Sequence, residues 1–135
     1  MLFGFEEQTQ PLNDIELHAA SAIAECLRNH HVGKERAVTG EQIGRGMARY
    51  EQYRTADDKP YLTGARVRKI INHIRFAGWC PRLIASSNGY YVSNDDEELK
   101  QYVQSLRARA NAIYAVADQG IRRRDGVGED QETTA

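Results

Sequence analysis

Between Tyr61 and Ser93 the chain carries five cationic side chains, Arg66, Arg68, Lys69, Arg75 and Arg82, and no carboxylate. Guanidinium and ammonium groups with no acids among them to neutralise them suit the binding of phosphate. Two planar polar groups lie between these cations, the amide of Asn72 and the imidazole of His73. Such groups can hydrogen-bond the edges of nucleic-acid bases. The hydroxyl of Thr63 and the short polar side chains of Ser86, Ser87 and Asn88 suit contacts with a sugar–phosphate backbone.

These groups need a helix and a hairpin to hold them. Thr63 is a good N-cap, and Val67, Ile70, Ile71 and Ile74 recur at i, i+3, i+4 and i+7, the stripe of a helix with one buried side. The spacing predicts a helix over 63–77 that shows Arg66, Lys69, Asn72 and His73 to solvent, with Arg68 and Arg75 on the flanks and Gly78 ending it. The start of a helix laid in a DNA groove is the part that reaches bases. Arg66 and Lys69 are therefore the expected base readers, Asn72 and His73 follow along the same face, and Arg68 and Arg75 suit phosphates. Free N–H groups at the helix start, beside Thr63, can hold a further phosphate. Two β-leaning runs follow, Arg82–Ala85 and Tyr90–Val92, joined by Ser86-Ser87-Asn88-Gly89. Asn-Gly between such runs is a strong hairpin signal. Arg82 is placed to anchor the hairpin's base. Neighbouring strand residues point to opposite faces, so one of Tyr90 and Tyr91 should pack inward and the other outward. Trp79 is expected in the core.

The rest of the chain divides around this region. Residues 1–12 are an expected irregular arm. Asn13, with Glu16 three residues on, forms a capping-box signature for a helix ending near His30-His31, whose apolar face is read as Ile15, Leu17, Ala20, Ile23, Ala24 and Leu27. Ala37-Val38 can form a very short strand. Thr39 and Gln42 open a short helix with Ile43 and Met47 inward, weakened by Gly44 and Gly46. A long connection, 48–60, is expected to hold one more helical turn before Asp57-Asp58-Lys59-Pro60. Ser93 or Asn94 then caps a final helix over 94–119, rich in acids at its start and carrying Leu99, Tyr102, Val103, Leu106, Ala110, Ile113 and Ala117 on one stripe. That stripe exceeds what so small a domain can cover, which favours a homodimer. Residues 120–135, with Arg122-Arg123-Arg124, read as a disordered tail. The net charge of −1 conceals blocks of about −4 over 1–33, +6 over 34–93 and −3 over 94–135. Such a balance argues for one local site, not a general nucleic-acid coat.

Several chemistries find no support. His18, His30, His31 and His73 have no metal-ligand spacing, and Cys26 and Cys80 form no Cys-x-x-Cys pair. No cofactor or metal is expected. The two cysteines read as buried thiols, not a disulfide. Cys26 has no evident base beside it, and Asp57-Asp58 and Asp95–Glu98 read as a turn and a helix start. No P-loop, Ser/His/Asp order or dinucleotide loop is present, so no enzyme is expected. No apolar run reaches membrane-span length and no signal layout opens the chain, so a soluble cytoplasmic protein with no membrane partner is expected.

The segments TGARVRKIINHIR, IASSNGYYVS and ELKQYVQSLRARANAI together resemble winged helix-turn-helix proteins, more narrowly the small winged-helix proteins of phages and prophages. The resemblance spans residues 37–117, and the SSNGYY hairpin behind its helix is the specific part; the long 48–60 connection departs from the pattern. The resemblance implies a mainly α fold with a small β-hairpin (α+β), a winged helix-turn-helix domain over 13–93 and a long C-terminal helix. It implies binding of double-stranded DNA through the 63–77 helix and the 81–93 wing, in the cytoplasm of a bacterium or phage-infected host. Transcription regulator and replication-origin binder both remain open. So does a winged-helix module that holds a protein partner without reading DNA sequence.

Overall fold

The computed structural model describes residues 11–125, with side chains to residue 121. The expected arm over 1–10 and the end of the expected tail, 126–135, lie outside the described residues. The order is α1 (Asp14–His30), a 3₁₀ turn (Lys34–Arg36), α2 (Gly40–Met47), a second 3₁₀ turn (Glu51–Tyr53), α3 (Gly64–Ala77), β1 (Leu83–Ser86), β2 (Gly89–Val92) and α4 (Asp96–Asp125). The protein is thus mainly helical with one antiparallel hairpin. It divides into two compact units, one ending at Asp95 and one beginning at Asp96. Among the described residues no helix is long and apolar enough to cross a membrane.

Local chemistry sets the helix starts where the sequence predicts them. Asn13 and Glu16 form a reciprocal capping box on α1, and Thr39 and Gln42 form another on α2. Each box satisfies two N–H groups that the first turn leaves without partners. Thr63 Oγ1 accepts from the Arg66 N–H at 3.3 Å, and Gly78 closes α3 in the left-handed conformation.

The core of the first unit forms where α1 and α2 pack on α3 and α1 meets β2. Its centre is Ile23, Leu27, Leu62, Val67, Ile70, Ile71 and Ile74. The α1 face differs from the one expected. Ile15 and Leu17 are exposed, while Glu16, Ala19, Ala20, Ile23, Ala24 and Leu27 are buried. At about 100° per residue, Ile15 and Leu17 lie on either side of Glu16, so a face centred on Glu16 and Ile23 excludes both.

β1 and β2 pair with Leu83 opposite Val92 and Ser86 opposite Gly89, leaving Ser87-Asn88 as the turn. Tyr91 is buried and Tyr90 is half-buried against the core, so neither is the exposed tyrosine that the strand alternation predicts. Val38 adds a bridge to Tyr90, with hydrogen bonds of 2.9 and 2.7 Å, and Val32 bridges Val92. Gly89 holds φ at 121°, and a Cβ there would collide with the Val38 backbone, so this position requires glycine.

The 48–60 connection is an anchored excursion. Its only regular piece is the 3₁₀ turn, whose last residue, Tyr53, is buried with its hydroxyl 2.9 Å from Nδ1 of His18. The chain then doubles back. Arg54 bridges Pro60, the Thr55 N–H donates to the Lys59 carbonyl at 2.7 Å, and Arg54 pairs with Asp58 at 3.1 Å. The Tyr61 N–H reaches the Tyr53 carbonyl at 2.9 Å, so the excursion leaves the chain close to where it entered. α2 still packs on α3, and Gly44 permits this contact because a Cβ there would overlap the Leu62 carbonyl oxygen.

The second unit corrects two expectations. α4 begins at Asp96, behind a turn in which Ser93 Oγ accepts from the Asp95 N–H at 3.2 Å, and it runs through Gly120 to Asp125. One internal glycine costs a helix only about 1 kcal/mol relative to alanine, and no proline follows to enforce a stop. Ile113, Tyr114, Val116 and Ile121 are all exposed on it.

Candidate nucleic-acid interface

The buried stripe of α3 fixes which of its polar residues can face outward. With Val67, Ile70, Ile71 and Ile74 inward, steps of about 100° place Ala65, Arg68, Asn72 and Phe76 within a sector of about 80° on the opposite side. Arg68 is exposed, and Asn72, His73 and Arg75 are half-buried. Thr63 is exposed at the helix start, its hydroxyl engaged in the cap.

Lys69 and Arg66 do not stand where the sequence places them. Lys69 is 8% exposed, and its Nζ lies 2.8 Å from Oε1 of Glu16, which is fully buried. Arg66 Nη1 lies 3.2 Å from Glu16 Oε2 and donates to the Tyr61 hydroxyl at 2.9 Å, with the guanidinium 4.3 Å from the centre of the Tyr61 ring. The Asn13 amide donates to the same hydroxyl at 2.9 Å, and its backbone N–H donates to Glu16 Oε1 at 2.9 Å. Burial alone would raise the Glu16 carboxyl. The Lys69 ammonium, the Asn13 N–H and the Arg66 guanidinium outweigh it and hold the carboxyl below its ordinary value. Both expected base readers are therefore drawn towards α1 by a buried anion. The sequence carried a signal for this: Glu16 lies on the same line as Ala20, Ile23 and Leu27, and an acid on an apolar face needs a cationic partner.

The hairpin residues divide in the same way. Arg82 has φ of 71°, and its Nε donates to the Ser93 carbonyl at 2.8 Å while its own carbonyl accepts from the Ser93 N–H at 2.9 Å, so it ties the hairpin's base as expected. Ser86 Oγ donates to the Gly89 carbonyl at 3.0 Å and accepts from the Asn88 N–H at 3.2 Å, which commits that hydroxyl to the turn. Ser87 and Asn88 are exposed at the tip.

Comparison of the chain with protein-family models, with curated proteins and with solved structures finds no match. The site therefore rests on its own geometry. Of the eleven candidate residues, Arg68, Ser87 and Asn88 are exposed and their side chains have no internal role described above. Lys34, Arg36, Arg45 and Arg49 are exposed cations of the same unit.

Trp79 also departs from expectation. It is 38% exposed, with its ring edge-on to His73 at 5.1 Å, and its carbonyl accepts from Arg28 Nη1 at 2.6 Å. Gly78 turns the chain so that Cys80, not Trp79, enters the core. Both cysteines are free thiols. Cys26 is exposed, contrary to expectation, and Cys80 is buried, with its thiol raised by desolvation against a smaller opposing effect of Arg28. Among the described residues no group of three or more His, Cys, Asp or Glu side chains could hold a metal ion.

Proposed function

We propose that the first unit binds double-stranded DNA as a winged helix-turn-helix module, with α3 in the major groove and the β1–β2 hairpin beside it, in a phage-type regulator or replication-origin binder. One observation carries this reading. A helix–bridge–helix–helix–hairpin order sets Arg68 and Asn72 on the outward side of α3, in a stretch of chain that lacks any acid. A major groove admits one helix and is read by such side chains, while exposed cations outside it hold phosphates. Fluorescence anisotropy with fragments from around the protein's own gene, at several salt concentrations, tests the proposal. The expected result is salt-sensitive binding to one fragment in preference to the others. Weak binding, equal for every fragment and lost near physiological salt, would reject it in favour of a protein-interaction module.

A homodimer through α4 belongs to the same proposal. Ile113 and Val116 stand exposed three residues apart on a helix of 30 residues, and the same side of a second copy would cover them. Sedimentation equilibrium should give twice the chain mass. Replacing Ile113 and Val116 with Asp should return it to the mass of one chain, and a single-chain mass for the unaltered protein would exclude the dimer.

A further inference from the structure

We propose that the C-terminal end of α3 is a stacking site for unpaired nucleotides, formed by Phe76 and Trp79. The inference rests on the DNA-binding reading and adds a second form of the ligand to it. Phe76 is 96% exposed and continues the outward line of Arg68 and Asn72. Aromatic side chains are ordinarily among the most deeply buried in a domain, so a phenylalanine held wholly in water at the end of an ordered helix presents its ring to something. Three residues on, past the left-handed Gly78, Trp79 is also exposed, and the edge-on contact with His73 fixes its ring.

The electrostatic setting selects the occupant. No carboxylate occurs between Tyr61 and Ser93, and Arg28 reaches in from α1 to bond the Trp79 carbonyl, bringing a guanidinium to the edge of the patch. Arg75 lies one residue before Phe76. Aromatic rings bordered by cations are the combination that holds a single strand, because every base offers a π-face and every linkage a phosphate. In a duplex the base faces are covered by their neighbours, so these rings are suited to unpaired bases, as in an opened or single-stranded segment beside a duplex.

Trp79 is the sole tryptophan of the chain, so its fluorescence reports this site directly. The test titrates the full chain with an oligothymidylate while following Trp79 emission, and in parallel with a closed duplex hairpin while following anisotropy. The oligothymidylate should quench Trp79. Phe76→Ala, which removes a side chain that makes no internal packing, should weaken oligothymidylate binding roughly tenfold and duplex binding by much less. Trp79→Phe should retain binding to a labelled oligothymidylate and lose the quenching signal. Duplex binding without quenching by the oligothymidylate would overturn this inference and leave the proposed function standing. Quenching that is indifferent to Phe76→Ala would also overturn it and turn the patch over to a protein partner. Failure of both ligands to bind would remove both readings.

Discussion

Replacing Lys69 with methionine is expected to lower the unfolding free energy by about 3 kcal/mol, the scale on which breaking a buried ion pair acts. Methionine keeps most of the stem and discards the charge, leaving the fully buried Glu16 carboxylate with Arg66 and the Asn13 N–H alone. Replacing both partners, Glu16→Leu with Lys69→Met, should recover most of that loss. A remaining deficit of about 1 kcal/mol would reflect the lost hydrogen bond to Asn13. Urea unfolding reads both, and an unchanged midpoint for Lys69→Met would refute the buried pair. The same pair gives a sign for pH. A carboxyl held below its ordinary value near 4.5 contributes stability that is fully present above that value. The contribution fades as pH falls through the folded-state value. The advantage of the unaltered protein over Glu16→Gln should therefore be constant near neutrality and shrink below about pH 4.5.

Glu16 also shows where legibility ended. The ends of the helices were written locally: Asn13 with Glu16, Thr39 with Gln42, Thr63 and Gly78 each act within four residues, and the structure uses all of them. The hairpin was legible for the same reason. What the sequence concealed was tertiary. Lys69 and Glu16 are 53 positions apart, and nothing local says that a cation opposite an apolar stripe will turn towards a neighbouring helix. The basic helix face is not one surface: Lys69 is buried, and Arg66, though half-exposed, is committed to Glu16 and Tyr61. The 48–60 excursion was opaque because its anchor, Tyr53, is a single aromatic residue whose partner His18 lies on another helix. The final helix, expected to end at 119, runs on to Asp125 because a single glycine, Gly120, is too weak a stop signal to end it.

The structure separates Arg68, which the sequence already assigns to phosphate, from Arg66, which it assigns to bases. Arg68→Ala should weaken duplex binding about tenfold and flatten the log–log salt dependence by about 0.9, the amount for one phosphate neutralised. Arg66→Ala should leave the slope unchanged, because its guanidinium is held between Glu16 and Tyr61 and neutralises an internal carboxylate. Its effect should appear as lowered stability in urea. Anisotropy titrations over a range of salt separate the two classes without knowledge of the target sequence, since the phosphate term is common to all duplexes. A slope that falls for Arg66→Ala and holds for Arg68→Ala would mean that α1, and not the outward side of α3, faces the DNA. The buried pair would then stand at the interface instead of behind it.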